Sequence, residues 1–394
     1  MSNNFEFFSP TKVLFGTEME KQTGKQIKAF GGKNVLIVYG SERVRKNGLM
    51  ERVLESLDLQ EISYILLGGV VPNPHLDLVY KGIELGKERQ VDFVLAVGGG
   101  STIDTAKAIA YGLAEPEYDV WELFAHTRKA KACLAVGSVL TIAAAGSETS
   151  MGSVITNEVT ADKRAYDDDL ARPKFAIMNP ELTFNLPDYQ TESGCTDMMM
   201  HTMERYFTNG GNLEITDMIS EGLMRNIMKY AKILHKEPDN YEARAEVMWS
   251  GSLAHNNLTG CGNDGGDFSS HKLEHEIGGM FDVTHGAGLS AIWGSWARYV
   301  YKNCLHRFVR FAVEVHHIVP DNEDEVTALM GIKAQEEFYK SIGMPISLKE
   351  LGITPSHEQL KEMAKRCSIA CGGKSGSAKV LEENDMYEIY KMAL

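Results

Sequence analysis

Short apolar runs alternate with longer stretches of helical spacing through the first half of the chain. Asn34–Gly40, Ser63–Gly69, Phe93–Gly98, Ala132–Gly137 and Lys174–Met178 are aliphatic or β-branched and end near Gly, Asn or Pro, which predicts buried strands. Between them, segments such as Leu76–Gln90 place apolar residues on one helical face. Strand–helix alternation predicts a parallel, doubly wound sheet, whose ligands bind beyond the carboxyl ends of the strands. After Pro180 and Pro187 the pattern changes: from Thr191 onward the chain shows long helical patterns, among them Leu213–Leu234 and Tyr241–Asn256, and no strand pattern. The expectation is an α/β domain over residues 1–186 and an all-helical domain over residues 187–394. A length of 394 residues suits two domains of ordinary size.

Composition narrows the function classes. With 43 % apolar residues both domains can bury a core. A net charge of −14 disfavours nucleic acid or an anionic membrane as the main partner. No apolar run is long enough for a membrane span, and Met1–Pro10 has no basic stretch leading into an apolar one, so neither a span nor a signal peptide is expected. Cys133, Cys195, Cys261, Cys304, Cys367 and Cys371 are scattered without repeated CxxC pairs, which fits free thiols in a reducing cytoplasm.

Candidate chemistry appears first at Val97–Lys107, Val-Gly-Gly-Gly-Ser-Thr-Ile-Asp-Thr-Ala-Lys, which follows a strand and opens a helix. Glycines let the backbone approach a ligand, and the unsatisfied N–H groups of a helix start face an anion. Ser101 and Thr102 can add hydroxyl donors, although the run is neither GxGxxG nor a Walker A sequence. Gly137–Thr141 followed by Ala145–Glu148 is a second, weaker cradle. At the end of the first nucleotide-domain strand, where an acid often holds the adenosine ribose hydroxyls, this chain has Gly40 and Ser41, with Arg43, Arg45 and Lys46 behind them. Small residues and cations there would admit a 2′-phosphate.

Metal-binding side chains gather in the second half. Asp197 and His201 are spaced i, i+4, as are His271 and His275, and His285 follows ten residues later. One carboxylate with three histidines suits Zn²⁺ or Fe²⁺ and leaves room for an oxygen substrate. Four histidines compete for three places, and spacing does not choose among them. Trp293 and Trp296 follow on a helix, one expected in the core and the other on a pocket wall.

The ordered set Phe8–Gly16, Val71–Pro74, Gly98–Lys107, Gly194–His201, His271–Gly279 and Asp282–Gly288 resembles the iron-containing, or group III, alcohol dehydrogenases, especially their butanol dehydrogenase-like branch. The resemblance runs over nearly the whole chain and implies a dehydroquinate synthase-like architecture. It implies metal ligands at Asp197, His201, His271 and His285, with His275 near nicotinamide and substrate as a candidate proton relay. It implies a pyrophosphate cradle at Gly99, Gly100 and Ser101, with the motif acid Asp104 close by and further cofactor contacts at Asn73, Thr141, Ser147 and Lys163. Gly40 and Ser41 fall where NAD-preferring relatives often carry Asp, which favours NADP(H) over NAD(H). The implied enzyme is a cytoplasmic homodimer that moves hydride between NADP(H) and a small primary alcohol or aldehyde, with Fe²⁺, or alternatively Zn²⁺, at the metal site. A dehydroquinate-synthase-like lyase and a non-catalytic metal- or nucleotide-binding protein are the competing readings. Two departures stand out: Thr141–Glu148 lacks the Pro and second Thr common in relatives, and the acidic Tyr166–Asp169 reads as a solvated loop.

Overall fold

Residues 2–40 and 42–394 are described by a computed structural model. Among them the strands are β1 (Lys12–Phe15), β2 (Asn34–Tyr39), β3 (Ser63–Leu67), β4 (Phe93–Gly98), β5 (Ala135–Leu140), β6 (Gly152–Asn157), β7 (Asp162–Asp167) and β8 (Phe175–Met178). The chain divides into two units, Ser9–Asn185 and Met1–Phe8 with Leu186–Leu394. The sequence pattern assigned the first residues to the α/β part. Here they join the helical unit, where the Asn3 N–H donates to the Gly262 carbonyl at 2.9 Å.

In Ser9–Asn185 a six-stranded sheet runs in the order β1-β8-β5-β4-β2-β3, parallel throughout. The core strands β2 and β4 are buried almost end to end, as expected of strands covered on both faces. β3 lies on one side of β2, whereas β4, β5 and β8 follow on the other. The switch of direction therefore falls at β2 and β4, outside whose carboxyl ends ligands of such sheets bind. Tyr39 pairs with Val97, and Gly98 with Leu140, so the segments that follow β2, β4 and β5 emerge side by side at that edge.

Four of the expected strands form within two residues of their predicted ends, while β5 starts three residues later than expected and continues past Gly137. Gly137 does not stop the strand; it makes room in it. It pairs with Phe175 of β8, and a Cβ there would lie 2.5 Å from the Phe175 ring. The β6–β7 hairpin gave no strand signal, because Asp162–Asp167 is mostly charged. It is held by packing on helix Gly100–Ala114, where Asp104 Oδ2 accepts from the Val154 N–H at 3.1 Å and Ser153 Oγ donates to the Asp104 carbonyl at 2.9 Å.

That hairpin also corrects the reading of Tyr166–Asp169 as a solvated loop. Tyr166 is buried, packs edge-on against Tyr111 at 5.4 Å, and accepts a hydrogen bond from the Ala130 N–H at 2.8 Å. Asp168 accepts from the Leu170 N–H at 2.9 Å, and Asp169 pairs with the buried Arg172. The acidic stretch is thus a strand end and a capped turn.

The other unit is helical; its described residues add only an isolated bridge between Ser375 and Leu381. Helices Glu214–Leu234 and Tyr241–His255 lie where the periodicity put them. Helix Asp188–Tyr206 is buried from Thr191 to its end, although it carries Asp197, His201, Glu204 and Arg205. Charged groups at such depth must be paired or hold an ion. Both tryptophans belong to the core, contrary to the expectation of one in a pocket wall. Trp293 and Trp296 are fully buried with Phe207, Phe308 and Phe311, and the Phe207 and Phe308 rings stack at 4.3 Å.

Candidate functional site

The helical unit brings Asp197, His201 and His271 together with donor atoms no more than 4.8 Å apart. Helix Asp188–Tyr206 supplies the first two from adjacent turns of one face, and helix Ser269–Phe281 supplies the third. Asp197 Oδ1 lies 3.5 Å from His201 Nδ1, 3.5 Å from His271 Nε2 and 3.8 Å from Nε2 of His285, the first residue of helix His285–Val300. Asp197 Oδ1, His201 Nδ1 and His271 Nε2 are buried and have no hydrogen-bond partner. Three buried polar atoms left unsatisfied around one point are costly unless something fills that point. A tetrahedral cation with bonds of about 2.1 Å separates its donor atoms by about 3.4 Å, close to the spacing seen here. The set therefore fits a divalent cation.

Two carboxylates that sequence reasoning missed orient the rings. Glu204 accepts from the His271 backbone N–H at 3.0 Å and from His271 Nδ1, and Glu274 engages Nδ1 of His285. Bonds of this kind turn the opposite nitrogen, Nε2, toward a metal. A signal was present: Glu204 falls seven residues after Asp197, and Glu274 three after His271, both on the facing side of their helices. Burial alone would push His271 down, but Glu204 and Asp197 on its two sides outweigh burial and lift its pKa to about 10. His201 is held well below its usual range by burial and by the neighbouring His255, His271, Arg205 and His285. The carboxylates thus favour positive charge at His271, whereas His201 is kept neutral.

His275 lies one turn beyond His271. It is half-buried, with its ring centroid 5.9 Å from that of His285 and 6.4 Å from that of His271. It groups with Glu274 and His285 and not with the Asp197 cluster.

In the α/β unit Gly40, Gly99, Gly100, Ser101 and Thr141 stand at the carboxyl ends of β2, β4 and β5, whereas Asn73 follows β3 and Lys163 lies on β7. Gly99 caps helix Gly100–Ala114 and its carbonyl accepts from the Thr102 and Ile103 N–H groups at 3.0 and 3.1 Å, so those of Gly100 and Ser101 are left outside the helix ladder. The backbone can come this close only without side chains. A Cβ on Gly98 would lie 2.3 Å from Thr102 Oγ1, one on Gly99 2.9 Å from Ile142, and one on Gly100 3.3 Å from Ser147 Oγ. The Thr141 N–H donates to the Gly98 carbonyl at 3.0 Å, so the segment after β5 lies beside the glycines. Lys107 clips that segment in place. Its buried Nζ donates to the carbonyls of Ser147 at 2.8 Å, Ser150 at 2.9 Å and Gly152 at 2.7 Å, while burial pushes its pKa down to about 8.

Asp104 faces the hairpin as described, and burial raises its pKa to about 6; its bond to the Val154 N–H is a structural one. Asn73 adopts a left-handed conformation, φ 52°, just before Pro74, whose carbonyl accepts from the Thr156 N–H at 2.8 Å. Lys163 is buried on β7, opposite Thr156. Ser101 stands in the first turn of its helix, and Gly40 follows the last residue of β2 with Arg43, Arg45 and Lys46 exposed behind it. Ser41 lies outside the described residues.

The chain matches known proteins along its length. Residues 10–180 match the family model for iron-containing alcohol dehydrogenase, and residues 191–394 match the C-terminal model of the Fe-containing alcohol dehydrogenase family. NADH-dependent butanol dehydrogenase A of Clostridium acetobutylicum is 38 % identical over 389 residues, covering 98 % of this chain and 99 % of that protein. NADPH-dependent aldehyde reductase YqhD of Escherichia coli is 33 % identical over 356 residues, 90 % of each chain. A crystal structure of NADH-dependent butanol dehydrogenase A from Thermotoga maritima superposes with a TM-score of 0.95 at 36 % identity, covering 100 % of this chain and 99 % of that one. The chain belongs to the iron-containing alcohol dehydrogenase family, whose members are NAD(P)-dependent oxidoreductases acting on CH–OH groups. Within it the chain stands with the butanol dehydrogenase-like branch, and neither the lyase nor the non-catalytic reading is favoured.

Proposed function

We propose that this enzyme interconverts a small primary alcohol, butanol-like in size, and its aldehyde, using NADP(H) in preference to NAD(H) and one divalent cation, Fe²⁺ ahead of Zn²⁺. The observation that carries the reading is the convergence of the unpartnered Asp197 Oδ1, His201 Nδ1 and His271 Nε2. Asp197, His201, His271 and His285 are the proposed ligands. When bound, the cation supplies Lewis acidity toward an alcohol or carbonyl oxygen, and the nicotinamide supplies or accepts hydride.

The chain's own residues do the positioning. Asp197 contributes the one negative charge among the four donors, and Glu204 and Glu274 hold the His271 and His285 rings from behind. Half-buried His275, beside both rings, is proposed to take the proton leaving the alcohol hydroxyl on a ring nitrogen and to return it in the reverse direction. In the α/β unit, Gly99, Gly100 and Ser101 are proposed to receive the pyrophosphate on backbone N–H groups. Asp104 holds the hairpin against that helix, and Asn73, Thr141, Ser147 and Lys163 are proposed to complete the cofactor contacts.

Support for NADP(H) comes from the tip of β2. Gly40 offers no carboxylate to the ribose hydroxyls, and Arg43, Arg45 and Lys46 are exposed close behind. Glu42 is turned to Tyr39, whose hydroxyl donates to it at 3.3 Å, and to Arg45 at 3.7 Å. The relatives are named for both cofactors, so measurement decides: kcat/KM with NADPH should exceed that with NADH by about tenfold, and an equal or reversed ratio removes the preference. A cytoplasmic homodimer completes the proposal. All six cysteines are free thiols, as a reducing compartment allows. No described helix is long and apolar enough to cross a membrane. Light scattering on the purified protein tests the dimer.

Net oxidation of NADPH by butanal, in protein reconstituted with Fe²⁺ or Zn²⁺, tests the reaction. Metal-replete protein that consumes no NADPH across an aldehyde panel would overturn the proposal.

A further inference from the structure

We infer that His255 is a positioning residue for His201, its ring forming the surface that holds the His201 imidazole with Nδ1 turned toward Asp197 and His271. The inference rests on the proposed metal site and concerns how one of its ligands is held.

The three candidate histidine ligands are not anchored alike. His271 and His285 each have a glutamate on Nδ1. Among the described residues His201 has no such carboxylate: its ring reaches only Asp197, at 3.5 Å, and other rings. Its anchor is aromatic. The His255 ring lies 3.9 Å from it, centroid to centroid, tilted by 35°, and His271 stacks on it at 4.5 Å and 21°. A ring fixed only by its own side-chain torsions would swing its donor nitrogen away; packing against a second fixed ring removes that freedom.

His255 is itself fixed. It closes helix Tyr241–His255, and its Nδ1 lies 3.2 Å from Nη2 of Arg205. Arginine only donates hydrogen bonds, so His255 Nδ1 accepts and its plane is set. Arg205 is buried and tied at several points. Nη1 donates to the His201 carbonyl at 2.9 Å and the Ala254 carbonyl at 3.1 Å, Nη2 also donates to Asn257 Oδ1 at 3.3 Å, and the guanidinium lies 4.9 Å over the Phe268 ring. The Arg205 cation thus joins the ligand helix, the end of the His255 helix and the start of the His271 helix. His255 is outside the donor clusters of the site, so its effect passes through the His201 ring.

The test compares wild type, His255→Ala and His255→Phe for Zn²⁺ affinity, by competition with a chromophoric chelator, and for kcat and KM after loading. Circular dichroism checks that each variant is folded. His255→Ala should weaken Zn²⁺ binding by about tenfold or more. His255→Phe keeps a flat ring but no nitrogen and should remain within about threefold of wild type. Unchanged affinity in His255→Ala overturns the inference. So does His255→Phe as weak as His255→Ala, because the nitrogen and not the ring surface would then matter. Failure of wild type itself to bind Zn²⁺ contradicts the metal site, a result distinct from either.

Discussion

The proposed glycine cradle of the α/β unit and the proposed metal cluster of the helical unit would solve opposite recognition problems. The cradle works by subtraction. Gly98, Gly99 and Gly100 lack side chains at places where a Cβ would meet Thr102, Ile142 or Ser147, and the binding groups left are backbone N–H groups. The cluster works by addition. Buried Asp197, Glu204 and Glu274 are set against imidazoles, and Asp197 Oδ1, His201 Nδ1 and His271 Nε2 are left without a hydrogen-bond partner, as the proposed cation would require. The comparison teaches that a small side chain added to the cradle acts through sterics, whereas a small change in the cluster acts through charge and orientation.

The largest effect that would break this contrast is expected at the metal. Asp197→Ala removes the one carboxylate donor and should lower metal content and kcat by more than about 100-fold, beyond the usual loss for an outer-shell change, while circular dichroism shows an intact fold. Full metal occupancy in that variant, read by elemental analysis, would exclude Asp197 as a ligand. Next comes Glu204→Gln. The amide keeps the shape but removes the charge behind His271, so metal affinity should fall by about 10- to 100-fold; a variant that resists chelators as well as wild type speaks against the orienting role. On the cradle side, Gly99→Ala should raise the KM for NADPH by about tenfold, and Gly100→Ala by less, because its Cβ meets the Ser147 hydroxyl at 3.3 Å and the Ala145 Cβ at an ordinary 3.7 Å. Metal content should stay unchanged in both, and the reverse order of KM would contradict the steric reading. The smallest effect is expected from Arg43→Ala combined with Arg45→Ala. It should raise the KM for NADPH several-fold, by about 5-fold, and leave that for NADH untouched; parallel loss with both cofactors would remove the 2′-phosphate assignment.

The same contrast decided what the sequence made legible. A cradle made of backbone is contiguous, so Val97–Lys107 could be read in one pass, and the buried strands that precede it are equally local. The cluster draws on three helices, and spacing left four histidines for three places. Only resemblance set His275 apart from His285. Glu204 and Glu274 were readable in principle from helical period, whereas His255 and Arg205 were not: their role depends on where helix Tyr241–His255 ends against helix Asp188–Tyr206. The fold misses have similar causes. β7 is charged and exists because Asp104, Lys107 and Tyr111 give its hairpin partners on helix Gly100–Ala114. One of Trp293 and Trp296 was expected on a pocket wall because both follow the proposed ligand His285, but the helix that begins at His285 runs directly into the aromatic core.

The central claim is that one divalent cation, held by Asp197, His201, His271 and His285, is needed for NADPH-dependent reduction of an aldehyde. The most direct test strips the purified enzyme with a chelator, titrates Fe²⁺ or Zn²⁺ back, and follows NADPH oxidation with butanal. Activity should vanish on stripping and return in a linear rise that breaks at about one equivalent per chain. Full turnover in stripped protein verified to be metal-free, or no break in the titration, would contradict the account.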